Sequence, residues 1–229
     1  MDIDLNNGGI ISPSVMCADL LNLENDIKLM KSNGIDFLHV DFMDNKFVPN
    51  ITFGTDVVRA LKNANGMRRD IHIMALEPQQ YFDVMDIGEG DIVSFHTNSC
   101  KNTNDVHNVL YNIRSRGAHP SIAISPDIDT AIIHDYINEI DAVLIMTVYP
   151  GFAGRPMAQN GFDHIRSARK IIDDSKKDIL LEVDGNVSWE NAPKMRKCGA
   201  DMFVAGSSSI FGKGSSLTEN IARFNSLIK

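Results

Sequence analysis

The sequence predicts an α/β fold, a single-domain (β/α)8 TIM barrel over residues 1–229, and three observations carry that reading. Short β-branched and apolar runs alternate with segments of period near 3.6. There are eight such runs, and each is nearly continuously apolar, as parallel strands are when helices cover both faces. Strict alternation also implies parallel strands joined by right-handed crossovers. Eight units in 229 residues leave almost nothing for insertions, so the barrel is close to minimal.

In chain order the expected strands are 10–14, 37–41, 70–74, 92–96, 121–125, 142–147, 179–184 and 202–205. After the first, ADLLNLENDIKLMKSNG places Leu20, Leu23, Ile27 and Met30 on one helical face, with Asp19 as N-cap and Gly34 as the stop. Gly117 and Gly199 end two later helices in the same way. Four strands follow a similar phrase, NGIDFLHV, EGDIVSFH, EIDAVLIM and CGADMFVA: a turn, an acidic residue, an apolar run. This is weak internal repetition with one supersecondary unit per repeat. An open doubly wound sheet would carry GxGxxG after the first strand, where this chain has SPSVMCADL. No Pro/Gly/Ser-rich linker divides the chain, and SSSIFGKGSS lies too near its end to bound a domain.

Composition narrows the function classes. With 43% hydrophobic and 23% charged residues, the chain is ordinary for a globular protein, which sets aside disorder, collagen and coiled coil. Its formal net charge is −8, from 22 Lys+Arg against 30 Asp+Glu. Such a chain repels polyanions, so no nucleic-acid partner is expected, while one small anion stays compatible with a local site. No apolar run reaches the roughly 18 residues of a bilayer span, so no membrane partner is expected. The segment MDIDLNNGG has neither the basic region nor the apolar core of a signal peptide. Cys17, Cys100 and Cys198 are far apart and form no CxxC pair, which fits buried thiols in a reduced, cytoplasmic setting.

In barrels of this kind the active site lies at the C-terminal strand ends. The polar residues there are Ser14, His39, Asp41, His72, His96, Thr147 and Asp184. Sheet capping accounts well for Thr147 and fairly well for Ser14, but poorly for HVD and EVD. His39 and Asp41 are two apart on one strand and point the same way. With His72 and Asp184 they make two imidazoles and two carboxylates. That set suits one divalent metal ion, zinc, iron, manganese or cobalt, better than calcium. Taken alone, His72 reads as a satisfied core histidine.

Three loops suggest a phosphate grip: TVYPGFAGRP with Gly151 and Gly154, DGN with Gly185 and Asn186, and AGSSSIF, expected to open a short helix at Ser207. Each alone reads as a turn; together they are more specific. Met43 has the parity of Asp41, Met74 that of His72, and Met146 ends the sixth strand. Core gap-filling is their default reading, and a dry, polarisable lining over a reacting carbon is the alternative.

The stretches ISPSVMCADL, DFLHVDFMDNKFVPNITFG, DIHIM, VLIMTVYPGFAGRP, LLEVDG and GADMFVAGSSSIF, in this order and over nearly the whole chain, resemble the ribulose-phosphate 3-epimerase family. The wording SPSVMCADLL and PGFAGRP is also similar to its allulose-6-phosphate branch. The resemblance implies a ribulose-phosphate-binding barrel with one catalytic divalent metal on His39, Asp41, His72 and Asp184, and acid/base carboxylates at Asp41 and Asp184. It further implies a substrate-contacting Ser14 and a methionine lining of Met43, Met74 and Met146. The implied phosphate grip comprises Gly151, Phe152, Ala153, Gly154, Gly185, Asn186, Gly206 and Ser207. The implied substrate is a small phosphorylated ketose and the implied assembly a homo-oligomer, dimer or larger.

The implied reaction inverts carbon 3 of D-ribulose 5-phosphate to give D-xylulose 5-phosphate. It runs through a metal-stabilised enediolate with one carboxylate on each face. D-allulose 6-phosphate, inverted to D-fructose 6-phosphate, is the alternative substrate. The family's MDGHFVPN reads MDNKFVPN here, its PGFGGQ reads PGFAGRP and its VDGG reads VDGN. These changes spare the ligands and carboxylates and bear on the sugar. Arg155 reads equally as a phosphate contact or as a solvated cation, and His96 as a supporting or core residue. A barrel decarboxylase or lyase would need a strand-end lysine, whereas Lys46 lies in a loop. A non-catalytic sugar-phosphate sensor would have lost a ligand or a carboxylate, and none is missing.

Overall fold

The computed structural model describes residues 8–229. The polar start of the chain, residues 1–7, lies outside the described residues. Eight strands form one sheet: β1 (Ile10–Pro13), β2 (Phe37–Met43), β3 (Arg68–Met74), β4 (Ile92–His96), β5 (His119–Ile124), β6 (Ala142–Met146), β7 (Leu180–Asp184) and β8 (Met202–Ala205). Every pairing is parallel, in the order β1-β8-β7-β6-β5-β4-β3-β2. The ring nearly closes: between β1 and β2 the link is a single parallel bridge, Ser14 to His39. The expected eight-unit barrel is therefore observed, and the strand ends move by at most two residues.

Seven α-helices accompany the strands among the described residues: α1 (Leu23–Ser32), α2 (Thr55–Ala60), α3 (Thr103–Ser115), α4 (Ile133–Tyr136), α5 (Gly161–Ser175), α6 (Ala192–Lys197) and α7 (Leu217–Leu227). The first begins later than its periodicity suggested. Residues Val15–Cys17 form a 3-10 turn, and Asn22, not Asp19, is the N-cap. The Asp19 carboxylate accepts the Leu21 N–H, and the Asp19 N–H donates to Asp26, so Asp19 is spent on the loop. Leu20 falls outside the helix and is 54% exposed, while Ile27 and Met30 are buried. Gly34, Gly117 and Gly199 follow α1, α3 and α6 at positive φ, as expected of helix stops. Cys17, Cys100 and Cys198 are half-buried, not buried as expected, because each sits on a turn or a helix end.

Between β3 and β4 there is no α-helix, only the 3-10 turn Pro78–Tyr81. One side chain does much of the stitching there. Arg69, 1% exposed, points outward from β3 and uses every guanidinium donor. It grips both oxygens of Asp91 at 2.9 and 2.5 Å and donates to the carbonyls of Val58, Met85 and Asp86 at 2.8–3.0 Å. Asp91 also accepts the Gly88 N–H. A guanidinium fits this task because its donors are planar and fixed.

Asp91 is one of the four acidic residues of the repeated phrase. The others, Asp36, Asp141 and Asp201, also precede even-numbered strands. Each backbone carbonyl accepts an N–H from a later or neighbouring strand start: Arg68, His119, Leu180 and Ile10. Each carboxylate holds a cation: Lys31 on Asp36, Arg69 on Asp91, Arg114 on Asp141, Arg169 on Asp201. The repeat therefore marks the N-terminal rim, where an acid ties one βα unit to the next.

Inside the barrel the layers differ in polarity. The bottom is an apolar plug of Phe37, Ile92, Ala142, Leu180 and Met202, with Ile10 against it. The middle carries Ser12, His39, Asp70, Ser94, Ser121 and Glu182, all with 0% exposure, beside Leu144 and Val204. Alternate strand residues point outward and join the helices in the main core, among them Leu38, Val40, Ile71, Ile73, Val93, Phe95, Val143 and Ile145. The larger hydrophobic gain thus lies outside the sheet, which leaves the interior free for polar chemistry.

Two outcomes follow. Arg69→Met should cost about 3–5 kcal/mol in denaturant unfolding, because Asp91 is left buried without its cation, and Arg69→Met with Asp91→Asn should recover part of that loss. Asp141 has its carboxyl held below the ordinary range: burial opposes this, but hydrogen bonds from His119 and Arg114 prevail. A depressed folded pKa gives stability that is present above the unfolded value and lost as pH falls through the folded one. Asp141→Asn should therefore lose about 1–2 kcal/mol at neutral pH, with the deficit shrinking in acid unfolding below about pH 4.

Candidate active site

β2 is buried at all seven positions, and its inward residues are His39, Asp41 and Met43. β3 supplies Asp70, His72 and Met74 in register with them, and β7 ends on Asp184. These parities converge on one point. Asp41 Oδ1 lies 3.3 Å from both His39 Nε2 and His72 Nδ1, and Asp41 Oδ2 accepts the Ser14 hydroxyl at 3.2 Å. His72 Nδ1 lies 3.9 Å from Asp184 Oδ2. One donor atom from each of His39, Asp41, His72 and Asp184 lies within 4.8 Å of all the others. Metal bonds of ~2.0–2.2 Å put neighbouring ligand atoms roughly 3–3.5 Å apart, so this mixed nitrogen and oxygen set fits one divalent ion.

The surrounding residues aim these donors. Asp70 Oδ2 sits 2.6 Å from His39 Nδ1 and also accepts the Ser12 hydroxyl at 2.8 Å. The carboxylate takes the Nδ1–H and fixes the ring, so Nε2 is the nitrogen turned to Asp41 and the one a metal ion would take in place of its proton. Beside this pair, Glu182 lies 3.7 Å from His39 Nδ1, and burial and the Asp70 charge push its carboxyl well above the usual range. It therefore stays protonated, which leaves the negative charge on Asp70. On the other flank His72 Nε2 is 3.0 Å from His96 Nε2, and His96 Nδ1 is 3.2 Å from Ser125 Oγ. Burial and the neighbouring His72 hold His96 well below its ordinary pKa, so it is neutral. When His72 offers its Nδ1 lone pair to an ion, its Nε2–H has His96 as acceptor, and the His96 Nδ1–H has Ser125.

The two carboxylates differ in proton affinity. Burial raises Asp41, but the charges and hydrogen bonds of His39 and His72 outweigh it and hold the group ionised, far below the usual range. Asp184 is pushed up to about 6, by burial first and by the Asp41 charge second. His39 is raised despite burial, because Asp70 and Asp41 flank it.

Above this floor lies a cleft of about 570 Å3, including space open to solvent. Asp41 and Asp184 reach its surface; His39 and His72 stay fully buried behind them. Ser14, Met43, Met74 and Met146 line the lower walls. Gly151, Phe152, Ala153, Gly154, Gly185, Asn186, Gly206 and Ser207 line the upper ones. Every substrate-contacting residue expected from sequence thus borders one cleft. Gly185, at φ +107°, admits no side chain: a Cβ there would come within 2.5 Å of the Val148 side chain and 2.8 Å of its backbone nitrogen. Thr147 donates to the Gly185 carbonyl beneath the loop, so it is the structural residue that the capping reading described.

One expectation fails. Residues 207–211 form turns and no helix opens at Ser207. The N–H groups of Ser209 and Phe211 both return to the Gly206 carbonyl, and the Asn220 side chain takes the Ile210 and Gly212 carbonyls that a growing helix would have used. Other residues went unnoticed in the sequence. Asp70 and Glu182 have the inward parity of His72 and Asp184, and period two would have found them. Ser125 and the cleft residues Cys17, Tyr149 and Ser208 carry no such local signal.

The comparisons with known proteins agree with this geometry. The model of the ribulose-phosphate 3 epimerase family matches residues 10–211. The chain is 34% identical over 204 residues to ribulose-phosphate 3-epimerase of Bacillus subtilis (strain 168), covering 89% of this chain and 92% of that protein. It is 35% identical to ribulose-phosphate 3-epimerase of Serratia marcescens over 205 residues, 89% of this chain and 96% of the relative. Its similarity to the chloroplastic ribulose-5-phosphate-3-epimerase of Arabidopsis thaliana is 36% identity, over 89% of this chain and 72% of that one. Among solved structures, a 3-hexulose-6-phosphate synthase aligns with a TM-score of 0.64 at 17% identity, covering 96% of this chain and 100% of the other, a likeness of fold alone. The chain belongs to the ribulose-phosphate 3-epimerase family.

Proposed function

We propose that this cleft binds a phosphorylated ketose and inverts its carbon 3, with D-ribulose 5-phosphate and D-xylulose 5-phosphate as the pair interconverted. One observation carries the reading: two carboxylates of opposite proton affinity, Asp41 and Asp184, flank the same His72 nitrogen at the floor of one cleft. They come from β2 and β7, with β1 and β8 between them, so they approach a bound sugar from different sides.

His39, Asp41, His72 and Asp184 would hold the divalent metal, which supplies Lewis-acid stabilisation of negative charge on the substrate oxygens. The chain's own groups carry the protons. Asp41, ionised, takes the proton from carbon 3, whose acidity comes from the adjacent carbonyl at carbon 2. This gives an enediolate. Asp184, the group with the higher proton affinity, returns a proton to the opposite face, and the roles exchange in the reverse direction. Ser14 orients Asp41 through its hydroxyl. Met43, Met74 and Met146 form a low-polarity wall that keeps water from the carbanionic carbon. The positive-φ glycines at 151, 154 and 185 turn backbone toward the phosphate end. No lysine lines the cleft among the described residues, which weighs against a lysine-dependent decarboxylase or lyase.

Asp184→Asn should lower kcat by about 10²–10⁴-fold or more in a coupled epimerase assay. Full activity in that variant, with metal still bound by elemental analysis, would sink the two-carboxylate reading. Incubation with ribulose 5-phosphate or allulose 6-phosphate in deuterated water should place deuterium at carbon 3 alone, faster for the pentulose. A faster hexulose reaction would reassign the substrate to allulose 6-phosphate, and no exchange with either would overturn the epimerase reading.

A further inference from the structure

Arg155 lies at the upper wall of the cleft, where the loop after β6 meets the loop after β7. Seven other arginines of the chain pair with aspartates. Arg155 has no carboxylate within ion-pair distance among the described residues. Instead its guanidinium carbon sits 5.1 Å from the centroid of the Phe152 ring, itself a cleft residue. Its backbone carbonyl accepts Asn186 Nδ2 at 3.0 Å, and Asn186 Oδ1 in turn accepts Asn191 Nδ2 at 2.9 Å. The main chain of Arg155 is thus tied to the β7 loop, and its head is parked on an aromatic face with its in-plane donors uncommitted.

The charge balance of the cleft gives this placement a consequence. The ionisable side chains at its floor are Asp41 and Asp184, and Arg155 is the one cation lining it among the described residues. A dianionic phosphate entering an acidic protein above two carboxylates meets repulsion that backbone amides alone oppose with partial charges. A guanidinium at the far wall offers a full charge and two parallel N–H donors to phosphate oxygens, and it sets the polarity of the cleft along its length.

We propose that Arg155 is a phosphate-binding and specificity-determining residue of this cleft, selecting ketoses that carry a terminal dianionic phosphate and fixing their head-to-tail orientation. This rests on the reading of the cleft as a ketose-phosphate site. Arg155 touches the phosphate and not the reacting carbon, so its effect belongs in binding. The Asn186 contact holds the Arg155 backbone, and the guanidinium stacks near the ring of Phe152, which lines the same cleft.

The test separates this proposal from the reading beneath it. Arg155→Gln should raise KM for the turned-over ketose phosphate about 10- to 100-fold, the size of a lost charge-assisted contact, with kcat at saturation moving far less. Arg155→Lys should restore only part of the affinity, since it keeps the charge and loses the fork. Independently of turnover, inorganic phosphate titrated into wild-type protein and Arg155→Gln, followed by 31P line broadening, should bind the variant at least 10-fold more weakly and lose most of its salt dependence. Equal phosphate affinity in the two proteins, or no phosphate binding by the wild type, overturns the role of Arg155 even if the enzyme epimerises its substrate. Absent turnover with a normal phosphate difference overturns the epimerase reading and leaves Arg155 as a phosphate ligand.

Discussion

The contact between His39 Nδ1 and Asp70 Oδ2, 2.6 Å long and wholly buried, is the constraint on which the site depends. It places a charged carboxylate inside a barrel, where an isolated charge would be costly. The cost is offset only because the neighbours cooperate: Ser12 donates to Asp70, Glu182 keeps its proton, and His39 turns its other nitrogen to Asp41. The arrangement fixes the ring orientation of His39, and through Asp41 it fixes the donor point shared with His72 and Asp184. The ring closes at the same place, since Ser14 bridges to His39 and its hydroxyl reaches Asp41. The residues that close the barrel are therefore also residues that build the site.

A polar interior demands stability from elsewhere. The apolar plug at the barrel floor and the helix-covered outer face supply it, and the N-terminal rim is laced by the repeated aspartates and their cations. The two ends of the strands thus divide the work. The N-terminal ends carry ion pairs that lock units together, and the C-terminal ends carry the polar groups of the candidate site, the division expected of a barrel in which loops vary over a fixed frame.

The candidate site was legible wherever its signal was local. His39 and Asp41 two apart on a strand, the strand-end positions of His72 and Asp184, and the glycines of the three loops all follow from period and turn chemistry. Asp70 and Glu182 lay within reach of the same period-two argument but were masked by apolar neighbours. His96 was visible as a strand-end histidine, yet its partners were not. Its contact with His72 needs the spacing of adjacent strands, and Ser125 comes from a third. The late start of α1, at Leu23, and the missing helix at Ser207 have a related reason. Local periodicity and a serine run favour helix in both, but Asp19 is captured by Leu21 and Asp26, and Asn220 takes the carbonyls that would continue the second.

By itself the sequence determined the eight alternating units, the faces their side chains take and the chemistry available at the strand ends. These follow from dihedral preferences and side-chain period, which act over a few residues. Only the tertiary structure decided that a single bridge joins β1 to β2, that Arg69 serves where a helix is missing, that His39 and His72 are pinned by Asp70 and His96, and that Arg155 faces the cleft on the Phe152 ring. Each of those depends on groups brought together from distant parts of the chain, and the free energy of such a contact exists only once the barrel has placed its partners within reach.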